Sequence, residues 1–152
     1  MVASDDWLFA IGVRIRFSNP ALLYQTYPEA WVDYYETNGL LLKDPTIRWG
    51  MTNWGTCDWS DLKDNDRHGV LEKAAEYGLK HGIAVSVGDA KERTLGFFAR
   101  ESRPFTPKER ERAAALVQEL HEATEGLTSL PDERLDAYRA IAATLKSMPK
   151  AK

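Results

Sequence analysis

Between positions 24 and 59 the chain carries Tyr24, Tyr27, Trp31, Tyr34, Tyr35, Trp49, Trp54 and Trp59, half of its sixteen aromatic residues, and no phenylalanine. Every ring in this stretch brings an O–H or N–H along with its apolar face. Such rings suit a pocket for a small amphipathic molecule, whose apolar part needs contact area and whose polar part needs a few fixed partners. Trp31 and Tyr35 lie four residues apart, so on a helix they project from one face, with Tyr27 a turn earlier. Asp44, arriving after a break at Gly39, adds a carboxylate acceptor to the indole and phenol donors. That set complements an acylated amide ring. Each residue also has a plainer reading. Asp44 before Pro45 fits a helix N-cap, and Trp31, Tyr35 and Trp59 taken singly fit core aromatics. Only their joint spacing favours a site.

The elements that must position these residues follow from local pattern. Trp7 to Phe17 alternates loosely and ends at the turn cluster Ser18, Asn19 and Pro20, which predicts a strand, and Ala21 to Thr26 predicts a second. Pro28 suits a first helical turn, Glu29 and Asp33 favour its positive end, and Gly39 supplies a stop, so a helix over 28–38 carries Trp31 and Tyr35. Asp44 and Pro45 form an N-cap and N1 pair opening a short helix through Met51. Thr52 to Leu62 has turn character. Val70, Leu71, Ala74, Ala75 and Leu79 have helical spacing within a predicted helix from Asp64 to Lys80, with Gly82 as its stop. Ile83 to Val87 and Thr94 to Arg100 predict a hairpin. Thr106, Pro107 and Glu109 form a capping box opening a long helix that runs to Gly126. Pro131 opens a last helix with a stripe at Leu135, Tyr138, Ile141, Ala142 and Leu145.

This order argues for an α+β fold, an α-β-α sandwich with a central, mainly antiparallel sheet between two layers of helices. Residues 1–127 form the principal unit, and 128–152 add a C-terminal helix and tail, either within that domain or as a dimer contact. The chain has 152 residues, 43% of them hydrophobic and 28% charged, which suits one domain with a sizeable core. Net charge is −3 with a pI near 5.6. Basic residues alternate with acids, as in Lys108, Glu109, Arg110, Glu111 and Arg112, so no stripe suits phosphates, and direct nucleic-acid binding is not expected. The apolar run near the N-terminus is cut by Arg14 and Arg16, which fits neither a signal peptide nor a membrane span, so a cytoplasmic protein is expected. Cys57 has no second cysteine to pair with, and the three histidines lack metal-ligand spacing. No metal or other cofactor is expected.

Trp31, Tyr35, Asp44 with Pro45, and Trp59 form the pattern W-x3-Y-x8-D-P-x13-W. In identity and spacing it resembles the autoinducer-binding signature of LuxR-type quorum-sensing regulators. Tyr27 matches a further aromatic of that family, and EYGLKHGI, Glu76 to Ile83, resembles its segment where a helix ends in glycine before a central strand. The resemblance spans roughly residues 7 to 127. It implies an N-acyl-homoserine lactone as ligand, enclosed between the sheet and one helical layer. It further implies that Trp31 donates to the lactone carbonyl, Tyr35 donates to the amide carbonyl, and Asp44 accepts from the amide N–H. Trp59 would pack against the ring and Tyr27 would line the pocket. The chain departs from the family pattern in two places: Thr56, Cys57 and Asp58 precede Trp59 where apolar residues are commoner, and Ala99 stands where many members place a hydroxyl. Residues 128–152 read as one helix and a tail, not as the helix-turn-helix unit with which family members usually end.

The leading expectation is a sensor domain without its own DNA-reading module, acting as a homodimer or as a heterodimer with a full-length LuxR-type regulator. A second reading is a ligand-free interaction domain of the same fold. A third, a lactone hydrolase using Asp44 or Glu76, is disfavoured because no nucleophile and base pair or metal cluster is visible, so no enzyme is expected.

Overall fold

The structure, a computed structural model, describes residues 6–16 and 20–126. The sheet has five antiparallel strands in the order β2 (Leu22–Gln25), β1 (Leu8–Ile15), β5 (Arg93–Arg100), β4 (His81–Gly88) and β3 (Gly55–Asp58). Four α-helices accompany it among the described residues: α1 (Glu29–Thr37), α2 (Pro45–Thr52), α3 (Val70–Glu76) and α4 (Pro107–Ala123). Short 3-10 helices cover Leu40–Lys43 and Trp59–Asn65. No helix among these residues is long and apolar enough to cross a membrane.

Strand β5 is central, and all eight of its residues are buried, so both of its faces are covered. Alternation along the strand then sorts the core into two halves. Phe98, with Ile11, Val13, Ile83 and Val85, packs against Ala113 and Val117 of α4. Leu95, Phe97 and Ala99, with Ala84, face Trp31, Leu40, Trp59, Val70 and Ala74 from the segment between β2 and β4. The result is the expected α+β arrangement of a sheet with helices on both faces.

The start of α4 is secured twice. Thr106 and Glu109 complete the capping box, and the buried Arg100 guanidinium donates to both Glu109 carboxylate oxygens and to the carbonyls of Arg103 and Pro104. These bonds hold the Glu109 carboxyl well below the usual range for glutamate.

Two local expectations need correction. The helix expected over Asp64 to Lys80 is shorter, because the Asp66 carboxylate accepts from the N–H groups of Val70 and Leu71 and so starts α3 only at Val70. Gly78, with φ of 89°, stands just past its end, whereas Gly82 lies inside β4. The stretch Thr52 to Leu62, expected as turn, contains β3. Its residues lack alternation and are ordered as a strand by pairing with β4, where Cys57 stands opposite Ala84. The helix expected from Pro131, and the turn residues Ser18 and Asn19, lie outside the described residues.

Candidate functional site

Helix α1 presents Trp31 from its buried face and Tyr35 one turn later. The chain then stops at Gly39, whose φ of 59° suits a residue without a Cβ, and passes through the Leu40–Lys43 turn to Asp44. Asp44 is the N-cap of α2, with Pro45 at the first helical position as expected. Its Oδ1 accepts from the backbone N–H of Thr46 at 2.8 Å and from the Thr46 hydroxyl at 2.7 Å. Its Oδ2 accepts from the Tyr35 hydroxyl at 2.7 Å. The plain reading of Asp44 as a cap is therefore correct, and the same carboxylate also faces the aromatic group. The Ile47 backbone N–H is also turned toward this carboxylate, as expected at a helix N-terminus.

Tyr27 completes this polar group. Its hydroxyl is buried and has no hydrogen-bond partner, a condition that costs about 1–3 kcal/mol. Burial raises the Tyr27 phenol well above its usual pKa, and the nearby Asp44 charge raises it further. Burial likewise raises Tyr35, reinforced by the Asp44 charge and by their hydrogen bond. Burial also raises the Asp44 carboxyl, against the lowering effect of the bonds from Thr46 and Tyr35. Both phenols are consequently proton donors at neutral pH.

Trp31 sits in an aromatic cluster. Its ring meets Tyr35 edge-on at 5.6 Å, stacks on Tyr34 at 6.0 Å, and contacts Tyr77 at 5.4 Å. Trp59 belongs to the same apolar half of the core, and its indole lies directly over Gly82 of β4, with the fused ring atoms where a Cβ would stand. Its N–H is buried without a partner. Trp59 and Gly82 also line a cleft of about 590 Å3, together with Leu71, Ala75, Lys80 and Phe105. The Trp59 end of the cluster thus borders open space.

The structure joins Tyr35 and Asp44 by a hydrogen bond, sets Tyr27 near enough to feel the Asp44 charge, adds Trp31 through its ring contact with Tyr35, and places Trp59 in the same buried half of the core. Sequence reasoning passed over Thr46, whose position two residues after an N-cap aspartate is a recognisable Asx pattern. It also passed over Tyr34 and Tyr77 as ring partners of Trp31. Tyr77 lies in a different element, so spacing carried no sign of it. Arg93 and Ser86 were missed as well. The Ser86 hydroxyl donates to the Gly50 carbonyl at 3.0 Å, and Arg93 donates to the Gly50 and Asn53 carbonyls, which seats the end of α2 on the sheet. Of the departures from the family pattern, Asp58 forms an ion pair with Arg110 of α4, and Ala99 is fully buried in β5. No group of three or more metal-ligating side chains is present among the described residues.

The family model for an autoinducer binding domain matches residues 9–125. The transcriptional activator protein SolR of Ralstonia nicotianae is 29% identical over 127 residues, which cover 82% of this chain and 54% of SolR. The regulatory protein SdiA of Escherichia coli is 30% identical over 96 residues, covering 62% of this chain and 40% of SdiA. The solved structure of SdiA in complex with octanoyl-rac-glycerol superposes with a TM-score of 0.61 at 26% identity, covering 80% of this chain and 52% of that one. The chain spans about half the length of these relatives.

Proposed function

Because this chain belongs to the autoinducer-binding domain family of LuxR-type quorum-sensing regulators, we propose that it is a sensor whose buried polar group holds an N-acyl-homoserine lactone. The observation that carries this reading is the set formed by Tyr27, Tyr35 and Asp44, in which one buried phenol lacks a partner and a second is bound to a buried carboxylate. A secondary amide, with an N–H for the carboxylate and a carbonyl for a phenol, matches this set. In this structure the single Tyr35 proton is committed to Asp44. An amide N–H arriving at Asp44 Oδ2 would replace that donor and free the Tyr35 hydroxyl for the amide carbonyl, so one amide would exchange two partners at once. Trp31 would then donate to the lactone carbonyl, with the Trp59 face against the ring and Tyr27 lining the pocket.

The relatives are a transcriptional activator and a regulatory protein. We place this chain in the same process, as a binding protein and not an enzyme, paired with a second copy or with a full-length LuxR-type regulator. Its mixed surface charge supports contact with a protein partner in preference to DNA.

The test is native mass spectrometry of protein expressed with octanoyl-homoserine lactone or octanoylglycerol, the latter because SdiA was solved with that ester. Retained lactone, weakened by Asp44→Asn and by Trp31→Phe, would support the reading. Ligand at 100 times its Kd should also add about 2.7 kcal/mol of stability. Retention of the glycerol ester alone would change the ligand class. Well-folded protein that retains neither would favour a ligand-free interaction domain, a reading that the close packing of Trp31 among Tyr34, Tyr35 and Tyr77 already supports.

A further inference from the structure

The first three residues of β5 hold two helices on opposite faces of the sheet. Arg93, Thr94 and Leu95 are all buried, with alternating directions imposed by the strand. Arg93 and Leu95 act on α2. The Arg93 guanidinium donates to the carbonyls of Gly50 and Asn53, and Leu95 packs so closely on Gly50 that an added Cβ would come within 2.9 Å of it. Gly50 thus allows α2 to sit directly on β5, and Ser86 of β4 reinforces the same carbonyl.

Thr94 points the other way, toward the end of α4. Its hydroxyl oxygen accepts the backbone N–H of Arg14 at 3.1 Å and lies 2.7 Å from Nδ1 of His121. With the Arg14 N–H on one of its acceptor positions, the hydroxyl bridges β1 and His121, donating to Nδ1 or accepting from it according to the imidazole tautomer. Arg14 continues the lock. At φ of 48° in a β-bulge, it donates through Nη2 to the His121 carbonyl at 2.6 Å and through Nε to the Thr124 hydroxyl at 3.3 Å, while Nη1 pairs with Glu92. A bulge that re-aims a buried arginine onto the carbonyl end of a helix also complements that end's negative charge.

We propose that the Arg93–Thr94–Leu95 segment is a rigid coupling between α2, which begins at Asp44, and the last turn of α4, from which the chain runs on to residues 127–152. Its regulatory meaning rests on the sensor reading: a ligand that shifts Asp44 and α2 would be felt at His121 and Thr124 through one short piece of strand. The physical warrant is that α2 and the end of α4 are fastened to adjacent residues of one fully buried strand. Neither end can loosen without changing the restraint on that strand.

The coupling is testable without any ligand. Hydrogen exchange is followed peptide by peptide in the wild type, Thr94→Val and Arg93→Met. Losing a hydrogen bond of about 1 kcal/mol speeds local opening about fivefold, and Thr94→Val removes those to His121 and to Arg14, so it should accelerate residues 120–124 by at least that factor. The expected result is that Thr94→Val also accelerates 48–53 by at least about twofold, and that Arg93→Met reciprocally accelerates 120–124. Acceleration confined in each variant to the helix that lost its own bond would overturn the proposal. Global destabilisation is recognised by a change in the β4 and β5 amides, and Thr94→Ser, which keeps the hydroxyl, must then restore both ends. Adding octanoyl-homoserine lactone forms a separate arm. Bound lactone that protects 45–53 but leaves 120–124 unchanged would overturn the regulatory part. Failure of the lactone to bind would count against the sensor reading and leave the variant comparison intact.

Discussion

The Tyr35 hydroxyl donates to Asp44 Oδ2 at 2.7 Å across nine residues of sequence, and through this bond a helix face and a helix cap share one carboxylate. Oδ1 serves the α2 cap and Oδ2 serves the aromatic group. The two oxygens of a single side chain thus hold different partners, one a helix N-terminus and the other a phenol.

That division separates two substitutions. Asp44→Asn keeps an oxygen for the Thr46 N–H, whereas Asp44→Ala removes the cap at a cost of about 1–2 kcal/mol. Because burial raises the Asp44 carboxyl, the folded state favours its protonated form, and this contribution to stability is present at low pH and lost as pH rises above the usual 3.8. Asp44→Asn should therefore be no less stable than wild type at pH 7, by thermal unfolding, yet lose at least about tenfold in lactone affinity, since a charge-assisted bond contributes about 1.5–3 kcal/mol. An Asp44→Asn variant that binds as tightly as wild type would remove Asp44 from the ligand site.

Trp59 rests on Gly82 with no room for a methyl group. Gly82→Ala should destabilise the fold by about 1–3 kcal/mol in urea unfolding, the usual cost of overpacking. The same change in a Trp59→Leu background should cost clearly less, and equal costs in both backgrounds would show that the ring is not what the methyl meets.

Arg100 is 1% exposed and holds Glu109 at the start of α4. Arg100→Met should cost about 1.5–3 kcal/mol, the usual contribution of hydrogen bonds to a charged group, since Glu109 keeps Arg103 as a partner. The Glu109 carboxyl is held below the usual 4.5, so its stabilising contribution is present above that value and declines as pH falls beneath it. Glu109→Gln should lose that acid-side decline. Denaturation midpoints measured from pH 6 down to pH 3 check both statements.

His121 Nδ1 lies 2.7 Å from the Thr94 hydroxyl and beside the Arg14 guanidinium, so its surroundings penalise a charged imidazole. Burial lowers its pKa from the usual 6.5, and the Arg14 charge lowers it further, against the opposing charges of Glu92, Asp89 and Glu122. The neutral form is favoured in the folded state, so the last turn of α4 should hold above pH 6.5 and loosen as pH falls below it. Imidazole NMR shifts, read beside amide exchange at residues 120–124, would show the two changes together. His121→Gln should flatten the exchange profile.

Much of this was legible in the sequence because it rests on local rules. The turn from α1 to α2, with Gly39 as stop and Asp44–Pro45 as cap and first residue, follows from the chain's own conformational preferences. So does the Thr106–Glu109 box. The spacing of Trp31, Tyr35 and Asp44 likewise put an indole, a phenol and a carboxylate within reach of one another, because a helix turn and a short connection leave little freedom.

Tertiary structure alone decided the rest. Strand β3 exists through its pairing with β4, and Asp66 shortens α3 by capping it at Val70. Tyr77 reaches Trp31 from forty-six positions away, an inference no periodicity supports. The largest surprise is Arg14, a charged residue read only as an interruption of an apolar run, which lies buried and joins β1 to the end of α4. The physical reason is common to all of these. Helix and turn preferences are set by neighbours along the chain, whereas strand pairing, ring contacts and the partners of buried charges depend on which distant segments the sheet brings together.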